Sequence, residues 1–210
     1  MTTVRFTEQM LGNVTFGETD YTRGAQAGRD GSEHLLFRLT IEVADIDRFA
    51  HDPMRSAGAI GYVHCDALGG RLPVENGEFN LFVDAAPGVK HMLYRLHFRD
   101  GVGHPLTLSG FKLVENDAGF DVWKDTSTLF TRVLKGHVDA AGEAGAEVVA
   151  AGVLRIRMRD FARQLTTFRA GGLSLGQRLG GLITFNRIFL VHLAAVYLRK
   201  GGRDGQVAQG

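Results

Sequence analysis

The chain has little of several features that would narrow its class. One of its 210 residues is a cysteine, Cys65, which excludes an intrachain disulfide and favours a reducing compartment. Its 24 basic and 23 acidic side chains leave a formal net charge of +1. So small a net charge creates no overall field that would recruit nucleic acid, and we expect no nucleic-acid partner.

Long apolar runs are also lacking. The first eight residues do not contain the apolar stretch of a secretory signal, and no uncharged apolar segment reaches the roughly 18 residues of a membrane span. We therefore expect a cytoplasmic protein without a transmembrane segment. The dinucleotide-binding glycine fingerprint, the phosphate-binding lysine loop and zinc-ligand spacings are missing too. The sequence accordingly predicts neither a cofactor nor a metal site.

Glycine, in contrast, is abundant: there are 28 glycines and only four prolines. The glycines separate short segments, such as residues 35–43 and 92–98, in which every second residue is apolar. This period of two is typical of a strand with one buried face. About nine or ten such segments predict a mainly β fold, an antiparallel β-sandwich or barrel with short helical turns. Residues 17–32 are polar and glycine-rich, and we expect a loop there.

The two ends of the chain differ in character. We expect residues 1–170 to form the antiparallel β domain, residues 171–202 a C-terminal helical appendage, and residues 203–210 a flexible tail. Residues 188–198 are apolar on nearly every face of the expected helix, and such a surface has to be covered. Packing on the domain or a homodimer through residues 172–198 would cover it. The alternative is peripheral contact with a membrane surface.

Candidate binding residues fall into two groups. A barrel or sandwich interior can hold one lipid-sized molecule, and large side chains on the strands are candidates for lining it or for a plain core. These candidates are Phe79, Met92, Tyr94, Phe98 and Trp123. A row of alternating arginines indicates contact with an anion or an acidic partner, and a charged edge strand explains that row equally well. The row consists of Arg155, Arg157 and Arg159.

Catalysis is the less favoured reading. An enzyme would use His91 or His97 as a base and Asp125 as its partner. Both histidines lie in the outer row of one strand, which is typical of a solvated face. His64 and Cys65 point to opposite faces of their strand, which disfavours a thiol nucleophile with a neighbouring base.

Several segments resemble one family when they are taken together and in order. They are Phe6-Thr7-Glu8-x-Met10-x-Gly12, Leu68-Gly69-Gly70, Pro73-Val74-x-x-Gly77-x-Phe79-x-Leu81-Phe82, Met92-x-Tyr94-x-Leu96-x-Phe98, Gly110-x-Lys112, Trp123-x-Asp125-Thr126-x-Thr128-Leu129, Ala151-Gly152-Val153-Leu154-x-Ile156, Asp160-Phe161 and Gln164-Leu165. This series, over roughly residues 5–170, is similar to the accessory region of bacterial cholesterol-oxidase-like proteins in the glucose–methanol–choline oxidoreductase family.

The resemblance does not extend to the flavin-binding domain of that family, so no catalytic or flavin-binding residue is carried over. It implies a companion module that works near sterol or other lipid-like substrates. The leading interpretation is therefore a non-catalytic module that binds a lipid- or sterol-like ligand or accompanies an oxidoreductase. The alternative is a small cofactor-free enzyme, an isomerase, cyclase or hydrolase with a His/Asp site in a β-barrel.

Overall fold

The computed structural model describes residues 2–31, 33–87, 89–115, 127–156 and 169–171. Within these ranges the chain forms ten strands and two α-helices. In chain order they are β1 (Thr3–Phe16), α1 (Tyr21–Asp30), β2 (His34–Val43), α2 (Ile46–His51), β3 (Ser56–Cys65), β4 (Gly70–Pro73), β5 (Asn76–Ala86), β6 (Val89–Arg99), β7 (Pro105–Glu115), β8 (Thr128–Lys135), β9 (Val148–Arg155) and β10 (Arg169–Gly171). The predicted mainly β class and the predicted number of strands are confirmed.

The sheet closes on itself. Strands β1, β2, β3, β5, β6, β7, β8 and β9 are antiparallel neighbours in that order, and β9 pairs back with β1. In this closing ladder Leu11 lies opposite Arg155, and Phe16 lies opposite Ala150. Of the two predicted architectures the chain therefore adopts the barrel, with eight strands in the wall. The short strands β4 and β10 add to β3 and to the start of β1.

Alternation along the strands determines which side chains face the barrel interior. The buried residues of β2 are every second one from Leu35 to Val43, and those of β6 run in the same way from Met92 to Phe98. The residues between them lie on the outer face, as the sequence pattern predicts. Complete burial of each large apolar side chain contributes roughly 1.5–3 kcal/mol. The interior row of each strand thus fixes which side of the sheet faces inward.

Helix α1 corrects the expectation of a loop over residues 17–32. Asp20 caps the helix, since its carboxylate accepts a hydrogen bond from the Arg23 N–H at 2.8 Å. Gly24 and Gly28 are the buried residues of this helix. A Cβ at Gly24 would lie only 2.1 Å from the carbonyl oxygen of Ala151 on β9. The glycines are therefore where the helix touches the barrel wall, and they do not mark a turn.

The predicted C-terminal appendage lies almost entirely beyond the residues that the structure describes. Strand β10 ends at Gly171, the first residue of the predicted appendage, and the rest of that appendage, residues 172–202, lies outside the described residues, as does the predicted tail at residues 203–210. In the described part of the chain, neither helix has the length and apolar character that crossing a membrane requires.

Candidate functional site

Three polar side chains come together inside the apolar barrel. They are Glu8 on β1, Tyr94 on β6 and Lys112 on β7, and we call them the interior polar cluster. Each occupies an interior position of its strand, and their exposed fractions are 2%, 2% and 3%. Three well-separated stretches of sequence thus converge on one buried point.

Glu8 is the acceptor at the centre of the cluster. The Tyr94 hydroxyl donates a hydrogen bond to Glu8 Oε2 at 2.7 Å, and Lys112 Nζ donates to Glu8 Oε1 in a buried ion pair. Lys112 Nζ also lies 5.1 Å from the centroid of the Tyr94 ring, within the range of a cation–π contact. Each carboxylate oxygen therefore has a donor, and the charges of Glu8 and Lys112 cancel.

Aromatic side chains surround the cluster. The Tyr94 ring lies 5.0 Å from the Phe79 ring and 5.7 Å from the Phe37 ring, measured between centroids. Phe79 in turn makes an edge contact with Phe6 at 6.2 Å. In such surroundings charge interactions are stronger than in water, and so is the cost of removing charges from water. An ion pair at this place therefore depends on both partners being present.

Burial in this apolar environment raises the pKa of Tyr94 well above its ordinary value of 10, and the neighbouring Glu8 carboxylate raises the pKa further. Both causes disfavour a phenolate beside an existing negative charge. Tyr94 therefore stays a neutral hydrogen-bond donor at neutral pH.

Strand register locates the cluster along the barrel. The β1–β9 ladder ends with Leu11 opposite Arg155, and the β7–β8 ladder ends with Phe111 opposite Phe130. Glu8 and Lys112 lie just beyond these last pairs, at the level where β9 ends and β8 begins. The cluster is thus nearer to the end of the barrel that carries the start of β1.

The structure places four of the five candidate lining residues inside the barrel. Phe79, Met92, Tyr94 and Phe98 are all buried, and Met92 lies directly opposite Lys112 in the β6–β7 ladder. Tyr94 belongs to the cluster itself, and Phe79 packs on its ring. The fifth candidate, Trp123, lies outside the described residues.

The candidate catalytic residues lie elsewhere. His91 is on the outer face of β6, where its ring contacts Phe111 at 5.1 Å. His97 is on the same face, stacked on His137 at 4.9 Å, with Nε2 3.0 Å from the carbonyl oxygen of Val138. Neither side chain reaches the interior, and Asp125 lies outside the described residues. The geometry therefore does not bring the two histidines to the cluster.

The remaining candidates are placed only in part. Arg155 is exposed at the end of β9, whereas Arg157 and Arg159 lie outside the described residues, so the arginine row stays a prediction. Cys65 is buried, and that burial raises the pKa of its thiol. His64 points to the other face, 3.3 Å from an Asp66 carboxylate oxygen. This arrangement keeps the thiol neutral and away from the histidine.

Glu8 and Lys112 are the site residues that the sequence reasoning missed. The signal was present as a charged residue in an otherwise apolar alternating row. Glu8 follows Val4 and Phe6 in the interior row of β1, and Lys112 interrupts the interior row of β7. A charge at such a position has to find a partner across the interior, because an unpaired buried charge is very costly.

We also looked for a metal site and for similar proteins. Among the residues that the structure describes, no group of three or more His, Cys, Asp and Glu side chains could hold a metal ion. No family model matches the chain, and comparison with curated proteins and with solved structures finds no match either. Within the described residues, the interior polar cluster is where the buried charged side chains meet.

Proposed function

We propose that the barrel is a non-catalytic binding module for a lipid- or sterol-like molecule, whose single polar group lies beside the interior polar cluster. The observation that carries this proposal is the Glu8–Lys112 ion pair, almost completely buried in an aromatic interior. Small ligand sites have this composition: mostly apolar walls with a few placed polar groups that orient the ligand.

Stability alone gives a weak reason for such a pair. Replacing a buried ion pair by apolar side chains of similar volume is often neutral or stabilising, because the attraction barely offsets the loss of hydration. A pair that is already desolvated can, however, accept a ligand group at little extra cost. Lys112 has further N–H donors for such a group, and the oxygens of Glu8 and of the Tyr94 hydroxyl can accept from it.

The sterol-like class and the role beside an oxidoreductase are supported by the sequence resemblance. A companion module would hold the ligand of a partner oxidoreductase. A homodimer through residues 172–198 is a further part of this proposal. Co-purification of a flavoprotein with the full chain tests the oxidoreductase contact, and the mass of the particle in solution with and without residues 172–210 tests the homodimer.

Ligand binding is tested with the purified full chain. Native mass spectrometry should show a retained lipid, and decanol and cholesterol should bind in equilibrium titrations. We expect Lys112→Met to weaken binding at least tenfold, because it removes a donor and leaves Glu8 without its counter-charge. The matched control is Lys135→Met, which removes the same groups from an exposed pair with Glu147 at 2.8 Å.

A second variant guards against misfolding of Lys112→Met. Tyr94→Phe removes one hydroxyl and keeps the ring, and we expect it also to weaken binding while circular dichroism stays unchanged. The proposal would be abandoned if the wild-type chain carried no lipid and bound neither probe. It would also be abandoned if Lys135→Met weakened binding as much as Lys112→Met.

A cofactor-free isomerase is a second candidate, favoured by one specific observation. Glu8 and Tyr94 form a carboxylate–phenol pair at 2.7 Å inside an apolar enclosure, which is suited to moving a proton on a carbonyl compound. Glu8 would take the proton, and Tyr94 and Lys112 would donate hydrogen bonds to the carbonyl oxygen. Deuterium uptake from D2O into a bound ketone would reveal this activity, and Glu8→Gln should abolish it. A ketone that binds without any deuterium uptake would exclude this candidate.

A further inference from the structure

We infer that the interior accepts an electrically neutral ligand: an apolar molecule with one hydroxyl or carbonyl group, and neither a carboxylate nor an ammonium group. This inference rests on the proposed function, since it assumes that a ligand occupies the barrel. It adds the chemical class of the polar group, which follows from the charges in the interior polar cluster.

The charges of the buried side chains in the described residues sum to zero. Among the side chains that the structure describes, Glu8 and Lys112 are the two charged ones that are buried, and they carry opposite charges. Tyr94 donates to Glu8 as a neutral phenol. A ligand that enters with a net charge would therefore find no unpaired counter-charge beside the cluster.

An ionised carboxylate would compete with Glu8 for the same ammonium group. It would approach Lys112 next to an existing negative charge, in surroundings where like charges repel strongly. Its other route is to bind as the neutral acid. A carboxyl group with an ordinary pKa of about 4.3 is protonated in roughly one molecule in 500 at pH 7, so this route weakens binding by about that factor.

A protonated amine is disfavoured for the corresponding reason, with the signs of the charges reversed. It would approach Glu8 next to the Lys112 ammonium group, or it would have to lose a proton first. An amine with an ordinary pKa of about 10.4 is neutral in fewer than about one molecule in 1,000 at pH 7. Both charged classes should thus bind at least about a hundredfold more weakly than a neutral compound with the same apolar body.

A neutral oxygen matches the groups that are present. A carbonyl or hydroxyl oxygen can accept from Lys112 Nζ, which has three N–H donors, while the single hydrogen of the Tyr94 hydroxyl stays on Glu8. A ligand hydroxyl can also donate to Glu8, because each carboxylate oxygen can accept more than one hydrogen bond. Such contacts leave the charge balance of the Glu8–Lys112 pair intact.

The test uses four probes that share one alkyl chain: decanol, methyl nonyl ketone, decanoate and decylamine. Dissociation constants at pH 7 are measured for wild type, Glu8→Gln, Lys112→Met and the double variant Glu8→Gln/Lys112→Met. For wild type and the double variant we expect the alcohol and the ketone to bind at least about a hundredfold more tightly than the two charged probes. Glu8→Gln leaves Lys112 unpaired and should shift the preference to decanoate, whereas Lys112→Met should shift it to decylamine.

The outcomes separate this inference from the proposed function. Decanoate binding wild type as tightly as decanol would overturn the neutral-ligand inference and leave the binding module in place. Glu8→Gln that folds, as judged by circular dichroism, but gains no preference for decanoate would also overturn it. If wild type binds none of the four probes and no lipid, the proposed function falls and the inference falls with it.

Discussion

At the scale of single residues, the buried ion pair makes a strong prediction about stability. Lys112→Met removes the counter-charge of a carboxylate that is 2% exposed. Breaking a buried pair in this way typically costs about 3–5 kcal/mol, because the remaining carboxylate is out of water and has lost its counter-charge, and it keeps the hydrogen bond from Tyr94 alone. We expect a loss of that size in the free energy of unfolding, measured by urea denaturation at pH 7.

The double variant provides the decisive comparison. Glu8→Gln/Lys112→Met leaves no charge behind, so we expect it to recover most of the stability that Lys112→Met loses. Lys135→Met, in the exposed pair with Glu147, should change stability by less than about 1 kcal/mol. A double variant less stable than both single variants would show that the pair itself, and not an unpaired charge, is what the fold requires.

At the scale of elements, α1 contains two buried glycines, Gly24 and Gly28, although glycine has a low propensity to form a helix. Alanine normally favours a helix interior over glycine by about 1 kcal/mol. At Gly24, however, a Cβ would lie 2.1 Å from the Ala151 carbonyl oxygen, and backbone cannot move aside cheaply. We expect Gly24→Ala to lower the free energy of unfolding by about 1–3 kcal/mol, measured by thermal and urea denaturation.

Gly31→Ala is the matched control for this prediction. Gly31 is the C-cap of the same helix with an ordinary φ of −82°, and the nearest atom to its Cβ would be the Ala27 carbonyl oxygen at 3.6 Å. We expect this substitution to be neutral or slightly stabilising. Equal effects at the two positions would mean that α1 does not press against β9 in solution.

The turn between α2 and β3 is held by Asp52. Hydrogen bonds from the Ser56 and Met54 N–H groups, each at 2.9 Å, lower the pKa of this carboxyl from its ordinary value of 3.8. A lowered pKa in the folded state adds stability above pH 3.8, and this stability is lost as the pH falls through the folded value.

Asp52→Asn should therefore cost about 1 kcal/mol at pH 7 and progressively less below pH 3.8. Melting temperatures across that range check the prediction. Asp30→Asn, which changes the net charge equally at the end of α1, serves as the control. A melting-temperature difference between wild type and Asp52→Asn that stays constant down to low pH would contradict the role of the ionised carboxylate.

The elements also show what the sequence could and could not predict. Strands β2 and β6 could be predicted, because each buries one face in the barrel interior and therefore has an apolar residue at every second position. Helix α1 could not be predicted from the local sequence. Its glycines, Gly24 and Gly28, are there because the helix packs against the backbone of β9 and β1, and this contact is not visible in residues 17–32 alone. Likewise, Glu8 and Lys112 can be seen in the sequence as charged residues in otherwise apolar rows. That they pair with each other depends on the curvature of the sheet, which brings β1 and β7 together across the interior.

At the scale of the whole molecule, the choice between sandwich and barrel depends on one strand pairing. Both architectures require the same alternation along each strand, so local patterns cannot separate them. The decision lies in the ladder between β1 and β9, which come from opposite ends of the described chain. This pairing leaves the wall without a free edge strand. A single strand therefore cannot separate from the wall without breaking a ladder on each of its two sides.

Closure of this kind predicts that the eight wall strands unfold together. A Cβ at Gly152 on β9 would lie 2.1 Å from the Asn13 carbonyl oxygen on β1, so Gly152→Ala strains the closing ladder. Gly145→Ala is the control, since no atom of the described residues, apart from Gly145 itself and its two neighbours in the chain, lies within 4 Å of its Cβ position. We expect Gly152→Ala to lower native-state hydrogen-exchange protection by the same free energy in β1, β2, β6 and β9, because opening the ladder exposes the whole interior. Faster exchange confined to β1 and β9 would contradict this and would show that the wall can open at one seam.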